Sequence, residues 1–205
     1  GSAGGGVVDC IFTNTLQQAH LTLQKTVVKD NGGTAVDTDW TLSAAGSTPI
    51  SGVEGNVAVT NAAVNADTYT LSESNGPANY TASLYSCVKN ADAPVSGNSI
   101  VLAAGDNATC TITNDDNAAH LIVIKHVVNN NGGLAVASAW TMTIGGVTAS
   151  GGNSFAGAES LGVEKTLTTV GAYTVTESGG PSGYAQTSAS ADCSGAIVLG
   201  ETKIC

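Results

Sequence analysis

The chain contains no arginine; its six cations are all lysine, set against sixteen carboxylates for a formal charge of −10. Nucleic acid and anionic lipid surfaces are held by dense positive charge, so neither is expected as a partner. No apolar run approaches the roughly 20 residues that cross a bilayer as a helix, so membrane insertion is not expected. There is no CxxC pair, which argues against a zinc site, and no metal or cofactor is expected. Ser, His and Asp all occur, but nothing resembles a nucleophile elbow or a phosphate-binding loop, so the chain does not read as an enzyme. Aromatics are only 4%, thin support for a carbohydrate- or matrix-binding face. The opening GSAGGG has neither a basic start nor an apolar stretch and reads as a flexible leader. If the protein is exported, its signal peptide has already been removed.

What is present is Gly, Ala, Ser, Thr, Val and Asn, with a hydrophobic fraction of 42% that can still build cores. This composition suits β-structure with tight turns better than disorder. The chain also repeats itself. AHLTLQKTVVKDNGGTAVDTDWTL from Ala19 matches AHLIVIKHVVNNNGGLAVASAWTM from Ala119 at an offset of 100 residues (125 − 25). YTLSESNGPANY matches YTVTESGGPSGY, which aligns Glu73 with Glu177, Pro77 with Pro181 and Tyr80 with Tyr184. Cys87 then matches Cys193, and Cys110 matches Cys205. Repeats of this kind imply one structural unit per copy. Two domains follow, 19–115 and 118–205, joined by the short polar NDDNAA segment, with residues 1–18 standing before them.

Within each copy, strand-like runs alternate with Gly, Asn, Asp and Pro clusters, and no segment has a helical period. About seven short strands per copy predict an all-β fold of two tandem Greek-key, Ig-like β-sandwiches. Trp40 and Trp140 are expected as core anchors.

Alternation along three strands places polar groups where the core should be. In LTLQKTV, Lys25 shares a side with Leu21, Leu23 and Val27. In YTLSES, Glu73 shares a side with Tyr69 and Leu71. In CTITN, Asn114 shares a side with Cys110 and Ile112. A lone buried Lys or Glu costs several kcal/mol, so these groups should be paired or neutral. The second copy repeats Lys125 and Glu177 but has no asparagine in the matching place.

The start of the chain carries a related fragment. VVDCIFTN (Val7–Asn14) matches ATCTITN, with Cys10, Phe12 and Asn14 in the places of Cys110, Ile112 and Asn114. An extra N-terminal strand is therefore expected, while the second copy ends at Cys205 without the residues matching TITN. Two accounts fit. Either these are excised repeats of a longer array, such as a large adhesin stalk, or Val7–Asn14 inserts into domain 2 of a neighbouring molecule as a donated strand.

Each repeat resembles the prealbumin-like fold domains of bacterial surface proteins, which include the B-type repeats of collagen adhesins and the shaft domains of pilins. The matching elements are the first-strand L-x-K, the Y-x-L/V-x-E followed by proline and an aromatic, and a last strand ending in Asn. The resemblance implies that Lys25 and Asn114 join through an intramolecular isopeptide bond assisted by Glu73. Burial lowers a lysine's pKa and raises a carboxylic acid's. A neutral Lys25 amine could then attack the Asn114 carboxamide while a protonated Glu73 polarises the carbonyl, and ammonia leaves. In domain 2, Lys125 and Glu177 would need Asn14 of a neighbour. The alternative for domain 1 is that Lys25 reaches out to solvent and Asn114 caps a turn. No LPxTG sorting motif is present.

Cys87–Cys110 and Cys193–Cys205 are the expected disulfides, because each pair closes a comparable hairpin in its repeat. Loops of this length are worth roughly 3 kcal/mol in the chain-entropy model. Disulfides imply an oxidising, extracellular setting, and Cys10 is left unpaired or pairs with another molecule. The expectation is a structural subunit of a secreted bacterial surface filament or pilus-like fibre, with copies of itself or flanking repeats as partners. Minor signals remain. His20, His120 and His126 have no ligand spacing, Asp115 and Asp116 read as a solvated linker, and Asn79 and Asn107 sit in glycosylation sequons.

Overall fold

A computed structural model describes residues 4–5 and 9–205. Val7 and Val8 of the expected first strand, like most of the Gly-rich leader, lie outside the described residues. Domain 1 begins at β1 (Ala19–Val28), where Leu21, Leu23 and Lys25 face inward and the intervening residues outward. One sheet sets β1 between β4 (Ala62–Val64) and β10 (Asn107–Asp116). Beyond β10 lie β7 (Ser86–Lys89) and β8 (Val95–Ser96), and β6 (Tyr80–Ala82) pairs with the far end of β10. The second sheet runs β3 (Ile50–Gly52), β2 (Thr41–Ala45), β5 (Asp67–Ser74), β9 (Ser99–Leu102). The inward positions of both sheets, Leu21, Leu23, Leu42, Tyr69, Leu71 and Ile112 among them, form one core. Burying that apolar surface is what holds two half-polar sheets face to face.

Domain 2 repeats the plan. β11 (Ala119–Val123) lies between β14 (Val163–Leu167) and β17 (Thr202–Ile204). The facing sheet is β13 (Ser154–Ala156), β12 (Trp140–Gly145), β15 (Gly171–Gly179), β16 (Ser194–Ile197). Its core gathers Leu121, Val123, Met142, Ile144, Leu167, Tyr173 and Ile197. The described helical turns are all short 3-10 segments, at Asp37–Asp39, Ala137–Ala139 and Ala191–Cys193.

The first and last strands of domain 1 are parallel neighbours, with Lys25 opposite Ile112 and Val27 opposite Asn114. In domain 2, β17 takes the place of the first part of β10, since His120 pairs with Thr202 as His20 pairs with Asn107. Lys125 follows β11 with no strand beside it among the described residues.

Residues 9–18 pair with no strand among the described residues, and Ile11 and Phe12 are 87% and 91% exposed. A strand is stable only where an edge takes its backbone hydrogen bonds. One expectation changes: the NDDNAA joint is not a solvated linker. β10 runs on through Asp116, which is 2% exposed. Its carboxylate accepts hydrogen bonds from the backbone N–H of Asn31 and of Gly33, at 3.0 and 2.5 Å. Only Asn117 and Ala118 connect the domains. Asn117 N–H donates to Asn79 O, and Asn117 O accepts from Gly200 N–H, each at 2.9 Å.

Candidate functional site

The site in domain 1 lies between the two sheets at the end where β1 and β10 run side by side. Lys25 is 4% exposed and Asn114 2%. They are diagonal neighbours on the inner face of the parallel pair. Glu73 reaches them from the facing sheet, positioned by the pairing of Glu73 with Leu42 across β5 and β2. Its Oε2 lies 2.5 Å from Lys25 Nζ, and its Oε1 accepts from Asn114 Nδ2 at 2.7 Å. One carboxylate thus touches both partners of the expected bond. The alternative in which Lys25 reaches solvent is not what the chain adopts.

Burial lowers the Lys25 pKa, because desolvation penalises the ammonium; the hydrogen bond and charge of Glu73 oppose the shift without cancelling it. The Trp40 ring covers the amine, with Lys25 Nζ 4.4 Å from its centroid. Tyr80 braces the indole edge-on at 5.4 Å. Asn114 Oδ1 is buried without a hydrogen-bond partner. An orphan acceptor of this kind costs about 1–3 kcal/mol. Turning the amide over would present Oδ1 to a protonated Glu73, the orientation in which the acid polarises the carbonyl.

The second copy repeats the lysine, the glutamate and the tryptophan. Lys125 Nζ lies 2.7 Å from Glu177 Oε2 and 4.6 Å from the Trp140 ring. Its side chain is 14% exposed where that of Lys25 is 0%. Among the described residues no strand covers it on the side that β10 covers in domain 1.

Cys87–Cys110 and Cys193–Cys205 are disulfide-bonded, the first between paired residues of β7 and β10. Cys10 is exposed and unpaired. The histidines are not brought together. His20 contacts Asn61 O, His120 lies 2.8 Å from Glu164, and His126 lies 2.9 Å from Glu159. Asn14 lies in the unpaired leader, far in sequence from any partner.

Some residues carry the site without having stood out in the sequence. Glu54 Oε2 accepts from the Lys25 backbone N–H at 2.5 Å. Tyr85 is 1% exposed and donates to Ser72 O, next to Glu73. Burial, with the Glu73 charge second, holds its phenol well above the usual tyrosine range. Gly76 and Gly180 lie flat against Trp40 and Trp140, where any Cβ would overlap the indole. Their signal was visible as a glycine directly before the proline in both repeats.

The sequence profile of prealbumin-like fold domains matches residues 17–112 and again 116–204. The chain belongs to that family. No curated protein matches it. Among solved structures, the TIE protein of Bacillus anthracis is similar at 15% identity and a TM-score of 0.50, over 92% of this chain and 33% of that one. The pilus adhesin SpaC of Lactobacillus rhamnosus GG aligns at 16% identity and a TM-score of 0.37, over 81% of this chain and 25% of that one. The chain therefore spans a third or less of either protein, and at 15% identity the likeness to the TIE protein is one of fold. No described helix is long and apolar enough to cross a membrane.

Proposed function

We propose that this prealbumin-like pair is a structural module of a secreted surface fibre or stalk, hardened by an isopeptide bond between Lys25 and Asn114. The supporting observation is the placement of Glu73, in contact with both the amine and the carboxamide inside a nearly dry site. In the reaction, the Lys25 ammonium gives a proton to Glu73. The neutral amine attacks Asn114 Cγ, and Glu73 returns its proton to Nδ2. As the Cγ–Nδ2 bond breaks and ammonia departs, Glu73 takes the second proton from Nζ, leaving one secondary amide and a protonated carboxylic acid. Enclosure of the reactants by the folded core supplies the proximity, and the bond forms once. Because β1 and β10 are adjacent, force applied at the domain's two ends would shear them apart. A covalent tie between them carries that load. The chemistry is self-modification without turnover.

Assembly follows as the finer part of the reading. The segment 9–14 has the pattern of a last strand and no edge of its own, while Lys125 and Glu177 lack an asparagine. Donation of that strand to domain 2 of a neighbour builds a head-to-tail fibre; repeats of a long adhesin stalk would stack in the same way. Intact mass of the denatured, reduced chain is the test. Loss of one ammonia with Lys25 and Asn114 in a single cross-linked peptide is the expected result. A full-mass chain overturns the bond.

A further inference from the structure

The joint between the two domains is itself a docking geometry. Domain 1 ends in the turn around Gly32 and the loop around Tyr80, and domain 2 is seated on them. Gly32 lies so near that a Cβ would come within 2.9 Å of Thr169 Cα and Val170 N. Gly32, Thr34, Tyr80, Val170, Val198 and Leu199 line the crevice between the domains.

Domain 2 ends in the same surface. Gly132 has φ +87° where Gly32 has +92°. Tyr184 accepts from Ala135 N–H at 3.2 Å, as Tyr80 does from Ala35 N–H at 3.1 Å. Trp140 and Tyr184 meet edge-on at 5.4 Å, as Trp40 and Tyr80 do. Nothing described covers this second surface. A Cβ on Gly132 would meet no atom within 4 Å, and Leu134, in the place of Thr34, is 93% exposed. The matching insert exists at the opposite end of the molecule. Val101, the counterpart of Val198, is 64% exposed there.

Two further matches fix the register. Asn114 precedes Ala119 by five residues (119 − 114), and Asn14 precedes Ala19 by five (19 − 14). In domain 1, Gln24 is paired with Thr111 on the outer face through a 3.2 Å hydrogen bond. The counterparts are Ile124 and Ile11, an apolar pair in place of a polar one.

We propose that the free end of domain 2 docks the domain 1 end of a second copy in the geometry of the internal joint. This rests on the fibre reading above. Docking in that geometry lays residues 11–14 along residues 124–127, directly after Cys205, with Ile11 beside Ile124 and Asn14 at Lys125 and Glu177. Cys205 already holds the slot that matches Cys110, so Cys10 stays off the edge. The donated strand is thus shorter than Val7–Asn14. The bond formed is the amide Lys125 Nζ–Asn14 Cγ, with ammonia leaving. The contact is heterologous and does not close, so it extends.

Sedimentation of the full chain over a range of concentrations tests the docking. The expected result is mass rising past the dimer, and monomers only for Leu134→Glu and for Val101→Glu. An equal mixture of the two variants retains one compatible pair of faces and should stop at dimers. A parent chain that stays monomeric, a variant that associates like the parent, or a mixture that stays monomeric overturns the proposal. Denatured oligomers lacking one ammonia per junction, lost in Lys125→Ala with association retained, support the register. Association without that loss overturns the register alone. The monomer's own mass reports the Lys25–Asn114 bond separately, so the two readings fail independently.

Discussion

Replacing Asn114 with alanine distinguishes a cross-linked domain 1 from an uncross-linked one by the size of the effect. The tie would close a loop of 89 residues (114 − 25). By the chain-entropy scale used for disulfides, a loop of that length is worth about 4–5 kcal/mol. The Cys87–Cys110 bridge shortcuts part of the loop, and the logarithmic dependence trims the figure by only about 0.3 kcal/mol. Without a cross-link the same substitution removes the hydrogen bond from Asn114 Nδ2 to Glu73 and also the orphaned Oδ1. Those two changes oppose each other and leave a net effect of about 1 kcal/mol. The cross-linked protein should therefore lose on the order of 20 °C from the domain 1 transition. Calorimetry of the oxidised chain reads that shift, with the domain 2 transition as internal reference. A shift of only a few degrees, with a parent chain that keeps its ammonia, would refute the reasoning.

In Asn114→Ala, Lys25 remains a free amine with a lowered pKa, so the unfolded chain binds a proton that the folded one releases. Domain 1 stability should then rise with pH from the lowered folded value toward 10.5, where the unfolded lysine titrates. Tyr85 has the opposite sign: its folded phenol stays protonated, so stability falls once pH passes the unfolded value of 10.0. Thermal melts across pH 7 to 11 check both slopes. Gly76→Ala drives a Cβ into Trp40, costs about 1–3 kcal/mol, and should slow ammonia loss in a refolding time course followed by mass. Asp116→Ala leaves the N–H groups of Asn31 and Gly33 without their acceptor. A loss of about 2–4 kcal/mol in domain 1 is expected in urea melts.

Much of the site was legible because strand alternation is a strict code. Lys25, Glu73 and Asn114 fall on inward faces by counting, and the repeat shows which of them domain 2 lacks. Glu54, Tyr85 and Asp116 were not legible. Glu54 lies in a turn without period, Tyr85 looks like any core aromatic, and Asp116 sits among exposed acidic neighbours. What each touches depends on which loop folds back over it, and pairings between distant segments leave no local pattern.

The sequence by itself determined the two-domain β-architecture, the disulfide framework and the polar trio, because period, repeat and spacing are properties of the chain. Only the tertiary structure decided that one carboxylate reaches both the amine and the carboxamide. It also decided that β10 runs through the supposed linker. Those outcomes depend on the parallel register of β1 with β10 and on the closeness of the facing sheet. Both are settled by burying two faces against each other, a collective result that no single strand encodes.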